Sequence, residues 1–215
     1  MAQKVHVGIV LDRSGSMEDC RTDAIGAVNS YLRQVKDDEE MDARISLTIF
    51  DSQGIDLIRD RVPAKGCAEL GADEFQPRAQ TPLLDAVGHG VSNLDRQKEA
   101  DERCILAIMT DGLENASREY TKETIKTLLE RKQKENGWLV LYLGADHDAW
   151  AQAHSLGLYA GNVAAFDKGA MLGSLRAMGT RSKRYAAARD ALAEASDGGF
   201  TDAERAQMQP KQSKP

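Results

Sequence analysis

The stretch VHVGIVLDRSGSM, residues 5–17, decides the reading of this chain. An apolar strand runs to Asp12, and one turn later the chain presents Ser14 and Ser16. A carboxylate followed at i+2 and i+4 by hydroxyls, on a loop leaving a buried strand, brings three hard oxygen donors to one point. Such donors suit Mg²⁺, Mn²⁺ or Ca²⁺ and nothing softer. A serine-rich turn that caps a helix has the same local pattern, so the motif alone leaves both readings open.

Two later segments bear on that choice. In QTPLLDAVGHGV, residues 80–91, Thr81 precedes Pro82 and an apolar helical pattern of Leu83, Leu84, Val87 and Val91. Threonine at an N-cap with proline at the first helical position is an ordinary helix start, so the plain reading of Thr81 is a cap. In CILAIMTDG, residues 104–112, a continuous apolar strand ends on Thr110, Asp111 and Gly112. Asp111, like Asp12, is thereby placed at the carboxyl end of a buried strand, where ligands gather in open α/β sheets.

Asp12, Ser14 and Ser16, then Thr81, then Asp111, in this order and each at a strand or helix end, resemble the metal-ion-dependent adhesion site of von Willebrand factor A domains. The similarity covers roughly residues 4–165, and TPLLDA together with TDGLENASREYT looks like the stand-alone bacterial members of that family. Gln80 departs from the glycine that often precedes the site threonine, which bears on the path of that loop. The resemblance implies Mg²⁺ (or Mn²⁺ or Ca²⁺) held directly by Ser14, Ser16 and Thr81, with Asp12 and Asp111 acting largely through water. A partner protein's Glu or Asp would complete the octahedron. By analogy it also implies partners such as AAA+ ATPases and stress-response or defence assemblies.

Composition fits one main domain with an extension: 215 residues, 41% hydrophobic and 29% charged, against a soft prior of ~150 residues per domain. The expected division is a domain over 4–165, a helical extension over 166–208 packed on or beside it, and a disordered tail over 209–215. The N-terminal apolar run is short for a signal peptide, and no stretch approaches the ~18 apolar residues of a membrane span. Cys20, Cys67 and Cys104 are sparse and form no CxxC pair, which reads as reduced thiols. These features predict a cytoplasmic protein with no membrane contact. The net charge of −6 argues against general nucleic-acid binding.

Periodicity predicts an α/β fold: a doubly wound, mostly parallel central sheet flanked by helices, with one antiparallel edge hairpin strand and a C-terminal helical extension. The expected order is a helix over 22–36, a half-exposed strand over 45–50, its hairpin partner over 54–62 and a long loop over 63–81. There follow a helix over 82–96, a strand over 104–110, a helix over 121–135 closing on Lys132, Lys134 and Gly137, and a central strand over 138–144. A short helix over 148–156 and an edge strand over 158–163 complete it. Beyond Phe166, Met171, Leu172, Leu175 and Met178 form a helical stripe that Gly179 interrupts, and an alanine-rich helix resumes to about Ala195. Arg176, Arg181, Lys183, Arg184 and Arg189 read as its solvated face, or as a contact surface for an acidic partner or nucleic acid.

Catalytic patterns are missing. Ser14 stands where a haloacid-dehalogenase-like phosphatase needs a second aspartate, no GxSxG elbow occurs, and no GxxxxGK[ST] or GxGxxG supports nucleotide binding. His147 and His154 read as a surface pair, and Trp138 and Trp150 as packing residues. The chain therefore reads as a non-enzymatic adaptor that uses a metal to bind an acidic side chain of a partner. The alternatives are a metal-dependent phosphatase-like hydrolase, or an RNA-associated module, as in Ro-like proteins, acting through residues 176–189.

Overall fold

The apolar run that opens the chain forms β1 (Gln3–Asp12), buried from Val5 onward. Covered on both faces, it takes the middle of the sheet, pairing in parallel with β2 (Met41–Asp51) on one side and β4 (Arg103–Thr110) on the other. In this computed structural model, which describes residues 2–145, 148–166 and 171–208, β3 (Gly54–Pro63) pairs antiparallel with β2, while β5 (Leu139–Ala145) and β6 (Val163–Phe166) extend the other side in parallel. The six strands run in the order β3-β2-β1-β4-β5-β6.

Two cores line the two faces. Residues of α1 (Arg21–Lys36) and α5 (Met171–Ala187) share one with β1, β2, β4 and β5, and residues of α2 (Leu83–Gln97), α3 (Lys122–Lys134) and α4 (Asp148–Ser155) share the other. Leu11 is level with Met109 across the β1–β4 pair, so Asp12 and Thr110 end their strands side by side. From β1 the chain leaves toward β2, away from β4, which makes this the topological switch point where a crevice opens. Among the described residues no helix is long and apolar enough to cross a membrane.

Several expectations are corrected. β2 is buried on both faces rather than half-exposed, and its Ser46 hydroxyl has partners there: Oγ accepts from the Arg61 amide at 3.0 Å and lies 2.9 Å from His6 Nε2. The edge strand begins only at Val163, after a short 3-10 turn over Ala160–Asn162. Lys132, expected to face the end of a helix dipole in solvent, is buried against the Trp138 ring and pairs with Asp95. His147 and the tail from residue 209 lie outside the described residues.

Gly179 does not interrupt its helix: α5 passes through it, and the break falls after Ala187, where Asp190 caps α6 (Ala191–Asp197) by accepting from the Ala193 amide. The glycine serves a close approach, since a Cβ there would lie 2.6 Å from the Gln34 side chain of α1. An unforeseen helix, α7 (Asp202–Gln207), follows, started by a reciprocal capping box between Thr201 and Glu204.

The basic stripe of α5 is largely turned inward. Arg181 is fully buried, donating from Nη1 to Glu194 Oε1 at 2.7 Å, from Nη2 to the Glu194 carbonyl at 2.5 Å, and to Asn162 Oδ1. Arg184 donates to the Gly199 carbonyl at 2.5 Å, and Lys183 pairs with Asp38. Only Arg176 and Arg189 of the five remain exposed. A solvated face would tolerate alanine at any of these positions. Arg181→Ala should instead cost about 3 kcal/mol by stranding Glu194 and Asn162, whereas Arg189→Ala should stay within about 0.5 kcal/mol. Urea unfolding at neutral pH compares the two.

The far end of β1 carries a second buried network. Arg61 donates to His6 Nδ1 at 3.1 Å, so Nε2–H is the donor to Ser46, and burial pushes the imidazole pKa down to about 4. Between pH 6.5 and about 4 the unfolded chain binds a proton that the folded chain refuses, so this group withdraws stability as pH falls, on the order of 3 kcal/mol in full. Unfolding titrations at pH 7 and pH 4.5 should show a shallower loss in His6→Gln than in the unaltered chain.

Candidate metal centre

Four of the five residues singled out in the sequence meet in one hydrogen-bonded run. Asp12, the last residue of β1, accepts the Ser14 amide on Oδ1 at 2.6 Å and the Thr110 hydroxyl on Oδ2 at 2.5 Å. Ser14 Oγ lies 3.1 Å from Ser16 Oγ, and Ser16 Oγ donates to Asp111 Oδ1 at 2.5 Å. Thr81 arrives from the opposite side. A Cβ added to Gly112 would lie 2.9 Å from Thr81 Oγ1 and 3.6 Å from both Asp12 Oδ2 and Ser16 Oγ. Donors from three separate loops thus face one space that only a glycine leaves open.

Thr81 is free to face that space because it is not the helix cap. The helix boundary falls at Pro82, with no side-chain cap of its own. The first amides of α2 are taken by the next loop: Leu84 N donates to Glu114 Oε2 at 2.9 Å and Asp85 N to Ser117 Oγ at 3.2 Å. Asp85 returns the arrangement by accepting the amides of Arg118, Glu119 and Tyr120 at 2.7–3.0 Å. Asn115 closes the seam, its Oδ1 accepting the Thr81 amide and its own amide donating to the Thr81 carbonyl. The sequence reading missed Glu114, Asn115, Ser117 and Asp85. The signal for the first three was the density of polar side chains in DGLENAS, which favours side chain to backbone bonding, and Asp85 had none beyond its place in the first turn of a helix.

Arg13, the residue inside the Asp-x-Ser motif, anchors the first loop. Buried, it reaches Asp51 at 2.7–2.8 Å and Asp56 at 2.8 Å, and its carbonyl accepts the Arg78 amide. Its charge is therefore spent away from the cluster. Burial pushes the Asp12 carboxyl up to about 6, with the Asp111 carboxylate adding to the rise and hydrogen bonds from Thr110 and Ser14 opposing it.

The donor set fits a hard divalent cation. Two carboxylates and three neutral hydroxyls carry at most −2, all through oxygen. The set has no His or Cys, and among the described residues no cluster of three or more His, Cys, Asp or Glu is placed to hold a metal ion. Asp12, Ser14 and Thr81 are buried, Asp111 is half-buried and Ser16 is exposed, so the cluster has a closed floor and one side open to water.

This architecture is that of von Willebrand factor A domains. The vWF domain of the type V pili tip protein Mfa5 from Porphyromonas gingivalis superposes with a TM-score of 0.62 at 10% identity, over 88% of this chain and 98% of that one. A von Willebrand factor type A structure from Catenulispora acidiphila gives 0.59 at 18% identity, over 84% of this chain and 43% of that one, so the chain spans less than half of that protein. The manganese-loaded TRAP protein of Plasmodium vivax gives 0.55 at 14% identity, over 79% and 71%. Neither a family model nor a curated protein matches the sequence.

Gly112 offers a test that removes no donor. Its φ is not positive, so Gly112→Ala keeps the backbone and fills the shared space. Metal bound only to the folded state should raise the melting point of the unaltered chain in Mg²⁺ relative to EDTA. Gly112→Ala should abolish most of that rise while lowering the melting point in EDTA modestly, since the added methyl presses on the buried Thr81 side chain.

Proposed function

We propose that this chain is a metal-dependent interaction module that holds Mg²⁺ (or Mn²⁺ or Ca²⁺) and captures a Glu or Asp side chain of a partner protein. The observation that carries this reading is the convergence of Asp12, Ser14, Ser16, Thr81 and Asp111 around Gly112, open to water only on the side of Ser16 and Asp111. When bound, a hard divalent ion supplies an electrophilic centre that a carboxylate oxygen from outside can complete. Ser14, Ser16 and Thr81 are the direct donors in this reading. Asp12 and Asp111 act largely through water, which leaves the centre short of negative charge and receptive to an acidic group. The manganese in the TRAP structure, which shares the fold, supports a divalent ion of this class.

The partner is a protein, by analogy one from AAA+ ATPase, stress-response or defence assemblies, and the contact is independent of membrane and nucleic acid. Three buried cysteines, none in a disulfide, support a reducing compartment such as the cytoplasm. The hydrolase alternative has no histidine among the cluster's five residues to act as a base: His6 is buried at the far end of β1 and His89 pairs with Glu119 at 2.7 Å. The RNA alternative has less support, since Arg181 is buried and Arg184 bonds within the protein.

Affinity capture from the native host should recover a partner in Mg²⁺ and not in EDTA, and Asp111→Ala should lose it. Phosphoester substrates should show no turnover above background with Mg²⁺ or Mn²⁺. Hydrolysis that disappears in both Asp12→Ala and Asp111→Ala would promote the enzyme reading instead.

A further inference from the structure

Thr81 reaches the cluster from outside the sheet, on the long connection between β3 and α2. Asn115 ties it to the loop of Asp111 on one side. On the other side the run 78–80 is bonded at every residue. The Arg78 amide donates to the Arg13 carbonyl at 2.9 Å, and the Ala79 carbonyl accepts the Gly15 amide at 3.1 Å. Gln80 exchanges two bonds with Ser52, its carbonyl accepting the Ser52 amide at 2.9 Å and its amide donating to Ser52 Oγ at 3.1 Å. Between these bonds Ala79 sits at φ 59°, in the left-handed region that disfavours a residue with a Cβ. A non-glycine persists there only where its surroundings over-determine the backbone.

The side chains of the same loops meet on Asp51. The last residue of β2, it is fully buried. Its Oδ2 accepts Arg13 Nε at 2.8 Å and Arg78 Nε at 2.9 Å, with Arg13 Nη2 2.7 Å from the same oxygen, and its Oδ1 accepts the Gln53 amide at 2.6 Å. Arg13 stands between Asp12 and Ser14, and Arg78 three residues before Thr81. One buried carboxylate therefore grips the serine loop and the threonine loop together.

Resting on the proposed metal centre, we infer that Asp51, acting through Arg13 and Arg78, is its positioning group. It fixes the Thr81 hydroxyl relative to Ser14 and Ser16 and so sets the affinity for the cation. Direct bonds to a hard ion are only about 2.0–2.6 Å long, so donors on separate loops have to be held to within about 0.5 Å. The sheet does this for Asp12 and Asp111, which end or follow adjacent strands. Thr81 lies on no strand, and the bonds of 78–80 and Asp51 supply the joint.

The test is a Mg²⁺ titration of the full chain, followed by the backbone amide shift of Gly112, with amide exchange and melting points measured in EDTA. Charge alone would move two substitutions in opposite directions: Arg78→Ala removes a cation and would tighten Mg²⁺ binding, whereas Asp51→Asn removes an anion and would weaken it. Positioning makes both weaken it, by about tenfold or more. Arg78 has a half-exposed side chain, so Arg78→Ala carries the test even where Asp51→Asn fails to fold. Asp56→Asn makes the same charge change beside Arg13 but leaves the link to Arg78 in place, and should leave the affinity nearly unchanged. In EDTA the Gly15 and Ser52 amides should exchange faster in Arg78→Ala than in the unaltered chain. Arg78→Ala that binds Mg²⁺ as tightly as the unaltered chain or tighter, whatever its melting point, overturns the positioning role, as does unchanged exchange at Gly15 and Ser52. An unaltered chain that shows no response to Mg²⁺, with exchange still accelerated in Arg78→Ala, overturns the metal centre itself and the affinity role with it.

Discussion

The Asp12 carboxylate, buried where the central strand ends, is the constraint on which this structure turns. A carboxylate removed from water costs several kcal/mol unless hydrogen bonds or an opposite charge replace its hydration. The chain answers by folding residues 13–16 back so that the Ser14 amide reaches Oδ1, and by ending β4 level with β1 so that the Thr110 hydroxyl reaches Oδ2. The turn that delivers Ser14 and Ser16 and the alignment that delivers Asp111 are consequences of satisfying one side chain.

The remaining wall depends on an exchange between two loops. Glu114 and Ser117 supply the missing acceptors for the start of α2, and Asp85 within that helix supplies the acceptor for three amides of the other loop. Helix starts normally use a nearby hydroxyl or carboxylate for this, and Thr81 was the obvious candidate. Capping from the neighbouring loop changes what Thr81 can do, because its hydroxyl faces the Gly112 space instead of its own helix. A local rule is broken where the donor is needed elsewhere, which is the kind of position at which local rules give way.

What could be read from the sequence follows from what is local. Asp12, Ser14 and Ser16 lie within five residues on a strand end, and Thr81 and Asp111 sit at boundaries marked by Pro82 and Gly112; pattern placed each at its element end, and the family resemblance joined the five into one set. The alternation of apolar strands and amphipathic helices placed most strands and helices in chain order, including the hairpin strand expected over 54–62 and found over Gly54–Pro63. What escaped was long-range. Ser46 and Thr48 read as solvent-facing because nothing nearby shows that α2 lies over them. Arg181 read as solvated because its partners, Asn162 and Glu194, are 19 and 13 residues away. Gly179 read as a helix break because its use, room for Gln34, depends on a helix some 145 residues earlier in the chain.

The buried charges, taken together, single out the centre more sharply than the motif does. Asp51 faces Arg13 and Arg78, Glu102 faces Arg61, and Glu204 lies 3.5 Å from Arg184. Asp85 has three backbone amides at the start of a helix, where the dipole favours an anion. Each of these carboxylates has its compensation within the fold. Asp12 has one amide, neutral hydroxyls and a second carboxylate beside it, while Arg13 next to it in sequence turns away to Asp51 and Asp56. The cation of the proposed function would bring Asp12 the positive charge that the adjacent guanidinium spends elsewhere. The exposed hydroxyl of Ser16 keeps one side of the cluster open, the side from which a further ligand would approach such a cation.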